Sequence, residues 1–192
     1  LNFPAAATST NTTITTGTGN DTVAMGASLN ASDVVDLGGN SVTAAGTMGK
    51  DTLTATGNFG TTVTAATLQL SNIDNVKFTQ GIAAATYIDG SKLVNIGSID
   101  LANDNSGGTV QFTNMPAGVG IGLGIGNIEW GNTTSSIINY ALADATGTAD
   151  ALSLNYSDTL NAAHGATLIT TGIETLNISA EKAGSNTSTL VN

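Results

Sequence analysis

At 192 residues the chain can bury a real core, enough for one elongated domain or two small ones. Fourteen acidic residues against four lysines and no arginine give a formal net charge of −10, which excludes nucleic acid and anionic headgroups as partners and suits hard cations, or simply keeps an extracellular protein soluble. Cysteine is absent, and no segment approaches the ~20 apolar residues of a membrane helix, so neither a disulfide frame nor membrane insertion is expected.

The residue mix is dominated by Thr, Ser, Asn, Ala and Gly, with 4% aromatics. Thr and Val favour strands, and Gly and Asn supply the positive-φ positions of tight turns, so many short strands are expected rather than long helices. Residues 1–15 read as a lead-in. They open Leu1-Asn2-Phe3-Pro4, without an initiator Met or a basic-then-apolar leader, as expected of a piece of a longer chain.

A repeat begins at Gly17-Thr18-Gly19-Asn20-Asp21-Thr22-Val23. It returns with one inserted residue at Gly46-Thr47-Met48-Gly49-Lys50-Asp51-Thr52-Leu53, and more weakly at Thr146-Gly147-Thr148-Ala149-Asp150-Ala151-Leu152. In each copy a turn ends in Asp, and an aliphatic two residues on begins a strand. A second element, Ile-acid-x-aliphatic-x-apolar-hydroxyl, occurs at Ile73 to Thr79 and at Ile173 to Ser179. Asp51 precedes Asp74 by 23 residues and Asp150 precedes Glu174 by 24. Such a unit cannot bury its own apolar face and must stack on a neighbour. The fold expected is all-β: a right-handed parallel β-solenoid or β-roll of short strands, or one with a sandwich-like section. Residues 16–56 would form calcium-binding turns, and residues 57–192 would continue the repeats.

Several later segments carry period-2 patterning. Val110 and Phe112 form a short pair; Leu152, Leu154 and Tyr156 share a face; Ile173, Leu176 and Ile178 mark another buried run. In Gly118 to Gly126, Val119, Ile121, Leu123 and Ile125 fall on one side and five glycines on the other. The aliphatic side is core, and the glycine side offers bare backbone that another sheet or subunit approaches closely. Trp130, the sole tryptophan, reads as core or as a glycan-stacking or lattice contact.

Calcium-binding solenoid turns follow Gly-Gly-x-Gly-x-Asp-x-U-x, with U a large aliphatic. Glycines let carbonyls point inward, Asp supplies an anionic oxygen, and the aliphatic anchors the next strand. Residues Thr16 to Ala24 match at Gly17, Gly19, Asp21 and Val23. Asp33-Val34-Val35-Asp36-Leu37-Gly38-Gly39 keeps the Asp-x-aliphatic core and a glycine pair. Asp33 and Asp51 lie 18 residues apart, two nonapeptides, which would stack them on one edge of a β-roll. The candidate ligands are therefore Asp21, Asp33, Asp36 and Asp51, with Asn20, Gly17, Gly19 and Gly49 beside them and Asp104 in the Asn103 to Gly108 loop. Each Asp also admits the reading of an Asx-turn.

These glycine turns, together with Leu142 to Leu154 and Thr171 to Ser179, resemble the calcium-dependent RTX proteins, and more narrowly the surface-layer proteins of the Caulobacter kind. The resemblance spans most of residues 16–180. It implies calcium-bound β-rolls, export by type I secretion without a cleaved leader, and an extracellular lattice on a bacterial cell surface. Its partners would be copies of the chain and a cell-surface polysaccharide. By position, Asp21, Asp33, Asp36 and Asp51 would be the calcium ligands. Here Thr16 replaces the first glycine of the motif. An RTX adhesin module, or the non-catalytic β-roll tail of a secreted hydrolase, is the alternative.

Enzyme chemistry has little to work with. His164 is the single histidine, in a loop context; there is no Gly-x-Ser-x-Gly elbow and no thiol nucleophile. A structural rather than catalytic protein is expected.

Overall fold

The fold is described by a computed structural model, over residues 1–2, 11–39, 50–56, 66–79, 85–101, 109–124, 136–158, 166–182 and 190–191. Fifteen strands run through these segments, with no helix among the described residues. They are β1 (Thr13–Thr15), β2 (Thr22–Gly26), β3 (Val34–Asp36), β4 (Thr52–Ala55), β5 (Ala66–Thr67), β6 (Gln69–Phe78), β7 (Ala85–Asp89) and β8 (Val94–Leu101). Then follow β9 (Thr109–Met115), β10 (Gly120–Leu123), β11 (Ser136–Leu142), β12 (Ala151–Asp158), β13 (Ala166–Thr171), β14 (Thr175–Lys182) and β15 (Leu190–Val191).

From β5 onward, consecutive strands alternate between two sheets. One sheet runs β1-β3-β6-β8-β10-β12-β14, with β2 and β4 joining alongside β6; the other runs β15-β13-β11-β9-β7-β5. Every pairing between these strands is parallel, so the chain is a parallel β-solenoid and the sandwich alternative falls away. The expected boundary between residues 56 and 57 borders residues outside the described ones. β3 and β4 both pair with β6, so the ladder runs across it.

The core lies between the sheets and is built of ladders one residue deep per coil. Val23, Leu53, Val76, Ile99, Ile121 and Leu154 stand side by side across six strands, each at most 2% exposed. Phe78, Leu101, Leu123 and Tyr156 form a second row. On the facing sheet Ile88, Phe112 and Tyr140 stack, with the Phe112 and Tyr140 rings 6.1 Å apart. Burial pushes the Tyr140 phenol up to about 12, and its hydroxyl donates to the Val119 carbonyl at 3.0 Å. Alternation at Val110/Phe112, Val119/Ile121/Leu123 and Leu152/Leu154/Tyr156 therefore marks core, as expected. Ile125 and Trp130 lie outside the described residues.

Sheets of this kind cannot simply stay straight, because the chain must turn back to begin the next coil. Three asparagines, Asn72, Asn95 and Asn114, take positive φ of 55°, 53° and 51°, a region Asn tolerates better than most residues. Asn72 bends β6, whose first part pairs with β3 and whose second part pairs with β4. Their amides cross between coils: Asn95 Nδ2 donates to Asn72 Oδ1 at 2.9 Å, and Asn72 Nδ2 to Asp36 Oδ1 at 2.8 Å.

Removing a rung from a closed ladder leaves a cavity that the flanking coils cannot fill. Leu53→Ala should therefore cost about 2 to 5 kcal/mol in chemical denaturation, against about 1 kcal/mol or less for Ile178→Ala at the half-exposed end of the same row.

Candidate functional site

The first glycine motif does not turn the chain between sheets. Residues 16–21 leave and re-enter the same sheet between β1 and β2, at the bend that β6 passes with Asn72 alone. The glycine pair of the next coil packs directly on it: Thr16 N–H donates to the Asp36 carbonyl at 3.0 Å, and Gly19 N–H to the Gly39 carbonyl at 3.3 Å. Gly38 has φ +78°, and a side chain there would collide with the Gly17 carbonyl. The two motif segments are stacked neighbours, though as loops within a sheet rather than as corners of a roll.

The carboxylates occupy the starts of strands, where a bend leaves backbone donors without a ladder partner. A shared device fills the gap: the acid of one coil accepts the N–H of the coil before it. Asp21 N–H donates to Asp51 Oδ1 at 2.7 Å, and Asp51 N–H to Asp74 Oδ2 at 2.8 Å. Asp150 N–H donates to Glu174 Oε2 at 2.8 Å, and Thr12 N–H to Asp33 Oδ1 at 2.8 Å. The intervals of 23 and 24 residues in the sequence are thus single-coil steps. The column from Asp21 ends where the next coil places Gly97, whose missing side chain would meet the Asp74 carbonyl oxygen at 2.5 Å.

The 18-residue interval between Asp33 and Asp51 does not stack them. Asp33 precedes β3 and Asp51 precedes β4, two strands separated along one coil, because the segment between them holds residues 37–51. Asp33 is fully buried, and its second oxygen accepts the Asn30 N–H at 2.8 Å. Asp36 accepts the Gly38 N–H at 2.9 Å as well as the Asn72 amide. Both carboxylates are occupied by amides. Asp21 and Asp51 differ, for each keeps one buried oxygen, Oδ2, that no donor reaches; Asp51 is 1% exposed. Asp150 Oδ2 shares that condition. Gly17, Gly19 and Asn20 are in the loop over Gly38 and Gly39, whereas Gly49 and Asp104 lie outside the described residues, as does His164.

Calcium takes six to eight oxygens. Among the described residues no group of three or more His, Cys, Asp or Glu side chains comes together to hold a metal ion. The four aspartates therefore do not form one site. Only the Asp21–Asp51 step, with its two donorless oxygens, retains a feature that fits a cation.

One acidic cluster escaped the sequence reading. Asp89 ends β7 and collects four donors: Asn114 Nδ2 at 3.0 Å, the Ser91 N–H at 3.1 Å, the Ser91 hydroxyl at 3.0 Å and the Thr67 hydroxyl at 3.0 Å. The signal was Asp-x-Ser, an Asx-turn pattern, followed 25 residues later by Asn114.

At β14 the core row is uncovered among the described residues. Ile173, Leu176 and Ile178 were expected to be buried, yet Ile173 and Leu176 are only partly covered and Ile178 is 50% exposed. Ile178 pairs with Leu154 and so continues the Val23 to Leu154 row, but β14 is the last strand of its sheet and nothing among the described residues lies beyond it.

Comparison with models of protein families, with curated proteins and with solved structures finds no match to this chain.

Acid should expose the carboxylate network. The Asn72 amide and the Gly38 N–H hold Asp36 below its ordinary 3.8; for Asp89, burial pushes upward but is outweighed by Asn114, Ser91 and Thr67. A carboxyl depressed by folding stabilises above its unfolded pKa and loses that contribution as pH falls through the folded value. Melting temperatures of the wild type should thus drop below about pH 4 more steeply than those of Asp36→Asn/Asp89→Asn, whose acid limb flattens.

Proposed function

We propose that the chain is a non-catalytic structural module of a bacterial cell surface that assembles with copies of itself by stacking coil on coil. The observation that carries this reading is the end of the core ladder. Six consecutive members are sealed, and the seventh, Ile178, is half exposed on β14, which among the described residues pairs on one side only. An edge strand offers a row of unpaired N–H and C=O groups, and an uncovered core residue adds hydrophobic drive for another strand to join. A second copy supplies the same type of coil with the same spacing.

The acidic composition, which keeps an extracellular protein soluble, supports an extracellular setting. Calcium enters this reading at one place, the Asp21–Asp51 step. An ion there would neutralise two buried oxygens that lack donors and would tie the first coil to the second. It would act on folding and hence on assembly, not on any reaction.

Sedimentation and negative-stain microscopy, with and without millimolar calcium, test both parts. Wild-type protein should form ordered assemblies, and Ile178→Lys should remain monomeric with an unchanged melting temperature. Calcium should raise the melting temperature of the wild type and not that of Asp51→Asn. Wild-type protein that stays monomeric in every condition overturns the assembly reading, and an equal calcium response in Asp51→Asn removes the ion from this step.

A further inference from the structure

The outer face of the larger sheet is organised in rows, as its core face is. Asn75, Ser98 and Gly120 stand side by side on β6, β8 and β10, with Ser153 and Asn177 continuing the row on β12 and β14. One step along, Lys77, Asp100, Gly122, Asn155 and Ser179 form a parallel row. Both rows have a glycine on β10. The sheet therefore carries a trough one strand wide, running along β10 between banks of Asn, Ser and Asp side chains, and it encloses 540 Å³.

The fold does not require a glycine at 120. Gly97 is needed, since a side chain there would strike the Asp74 carbonyl oxygen at 2.5 Å, whereas a Cβ at 120 would lie 3.3 Å from the Ser153 oxygen and 3.6 Å from the Gly97 oxygen. A side chain at 120 thus asks the Ser153 carbonyl to give by a few tenths of an ångström, where one at 97 meets a direct clash. Glycine inside a strand weakens it, so what Gly120 contributes is the open floor.

The banks are polar and held in place. Asn75 Nδ2 donates to Ser98 Oγ at 2.8 Å and to Asp100 Oδ2 at 2.5 Å, while Asn75 Oδ1 is buried with no donor. Asp100, 9% exposed, is the single charged residue among the described lining residues, which include no Lys, Arg or aromatic side chain; Lys77 pairs with it on β6 outside the lining. Phosphate, sulfate and uronate groups find no cation there. A peptide gains no strand pairing on this face, because the backbone groups of β10 are already bonded to β8 and β12. What complements closely spaced amides, hydroxyls and a carboxylate is a chain dense in hydroxyl groups, each both donor and acceptor.

We infer that the β10 trough binds one extended, uncharged oligosaccharide. The trough reaches Asn177, Ile178 and Ser179 on β14, but its floor at Gly120 lies two strands from that edge, so Gly120→Thr tests sugar binding and Ile178→Lys tests self-stacking, and the two readings fail independently. The test is an NMR titration of the ¹⁵N-labelled chain with neutral trisaccharides (cellotriose, maltotriose, triacetylchitotriose) and with anionic trigalacturonate. One neutral trisaccharide should give saturable shifts at residues 97–100, 120–123 and 153–155, and trigalacturonate none. Gly120→Thr, which fills the floor, should weaken binding about tenfold or more with the melting temperature kept or raised. If that variant does not fold, Asn155→Ala, at an exposed position, serves in its place. No saturable shift with any neutral sugar at about 10 mM, tighter binding of trigalacturonate, or undiminished binding by the variant overturns the inference.

Discussion

Parallel stacking needs every backbone donor of one coil to find an acceptor on the next, and the bends are where that requirement is hardest to meet. Within strands the ladder supplies the acceptors. At the bends the carboxylates of Asp33, Asp51, Asp74 and Glu174 do so, each reaching back to the N–H of the coil before. A buried N–H left without a partner costs about 1 to 3 kcal/mol, a large fraction of the stability of a typical domain. The acids thus hold coil spacing and register at the bends, and the aliphatic rows between the sheets supply the bulk of the burial.

This arrangement changes what an Asp-rich, Gly-rich sequence means. Calcium turns and carboxylate-capped bends draw on the same residues: Gly for unusual φ, Asp for a short anionic acceptor, and an aliphatic to restart the strand. They differ in where the oxygens go. At Asp33 both oxygens, and at Asp36 the Oδ1, go to amides, and an ion there would have to displace those bonds. At Asp21 and Asp51 one oxygen of each is left over in a buried place, so the two roles can coexist on one residue.

Much of the architecture was legible from periodicity. Alternation at Leu152, Leu154 and Tyr156 and at Val119, Ile121 and Leu123 marked core faces correctly, and the repeat intervals from Asp51 to Asp74 and from Asp150 to Glu174 turned out to be neighbouring positions in space. Two things were not legible. The number of residues between Asp33 and Asp51 gave the wrong neighbour, because β3 and β4, which they precede, both pair with β6 and so belong to one coil, and linear distance between them does not count coils. Ile178 looked like any core aliphatic, since a strand carries no mark of being the last in its sheet. The asparagine pair Asn72 and Asn95, 23 residues apart, was in principle readable as a stacked bend, but in so Asn-rich a chain it did not stand out.

The bend at Asn72 is met differently in successive coils: residues 16–21 separate β1 from β2 in the first, residues 37–51 separate β3 from β4 in the second, and β6 crosses it as one continuous strand in the third. Chain of very different length thus departs and returns through the same gap while the rows on either side keep their partners. The solenoid has at that point a natural port for insertions, where a peptide could be spliced into one coil and displayed at the surface without disturbing the repeat beneath it.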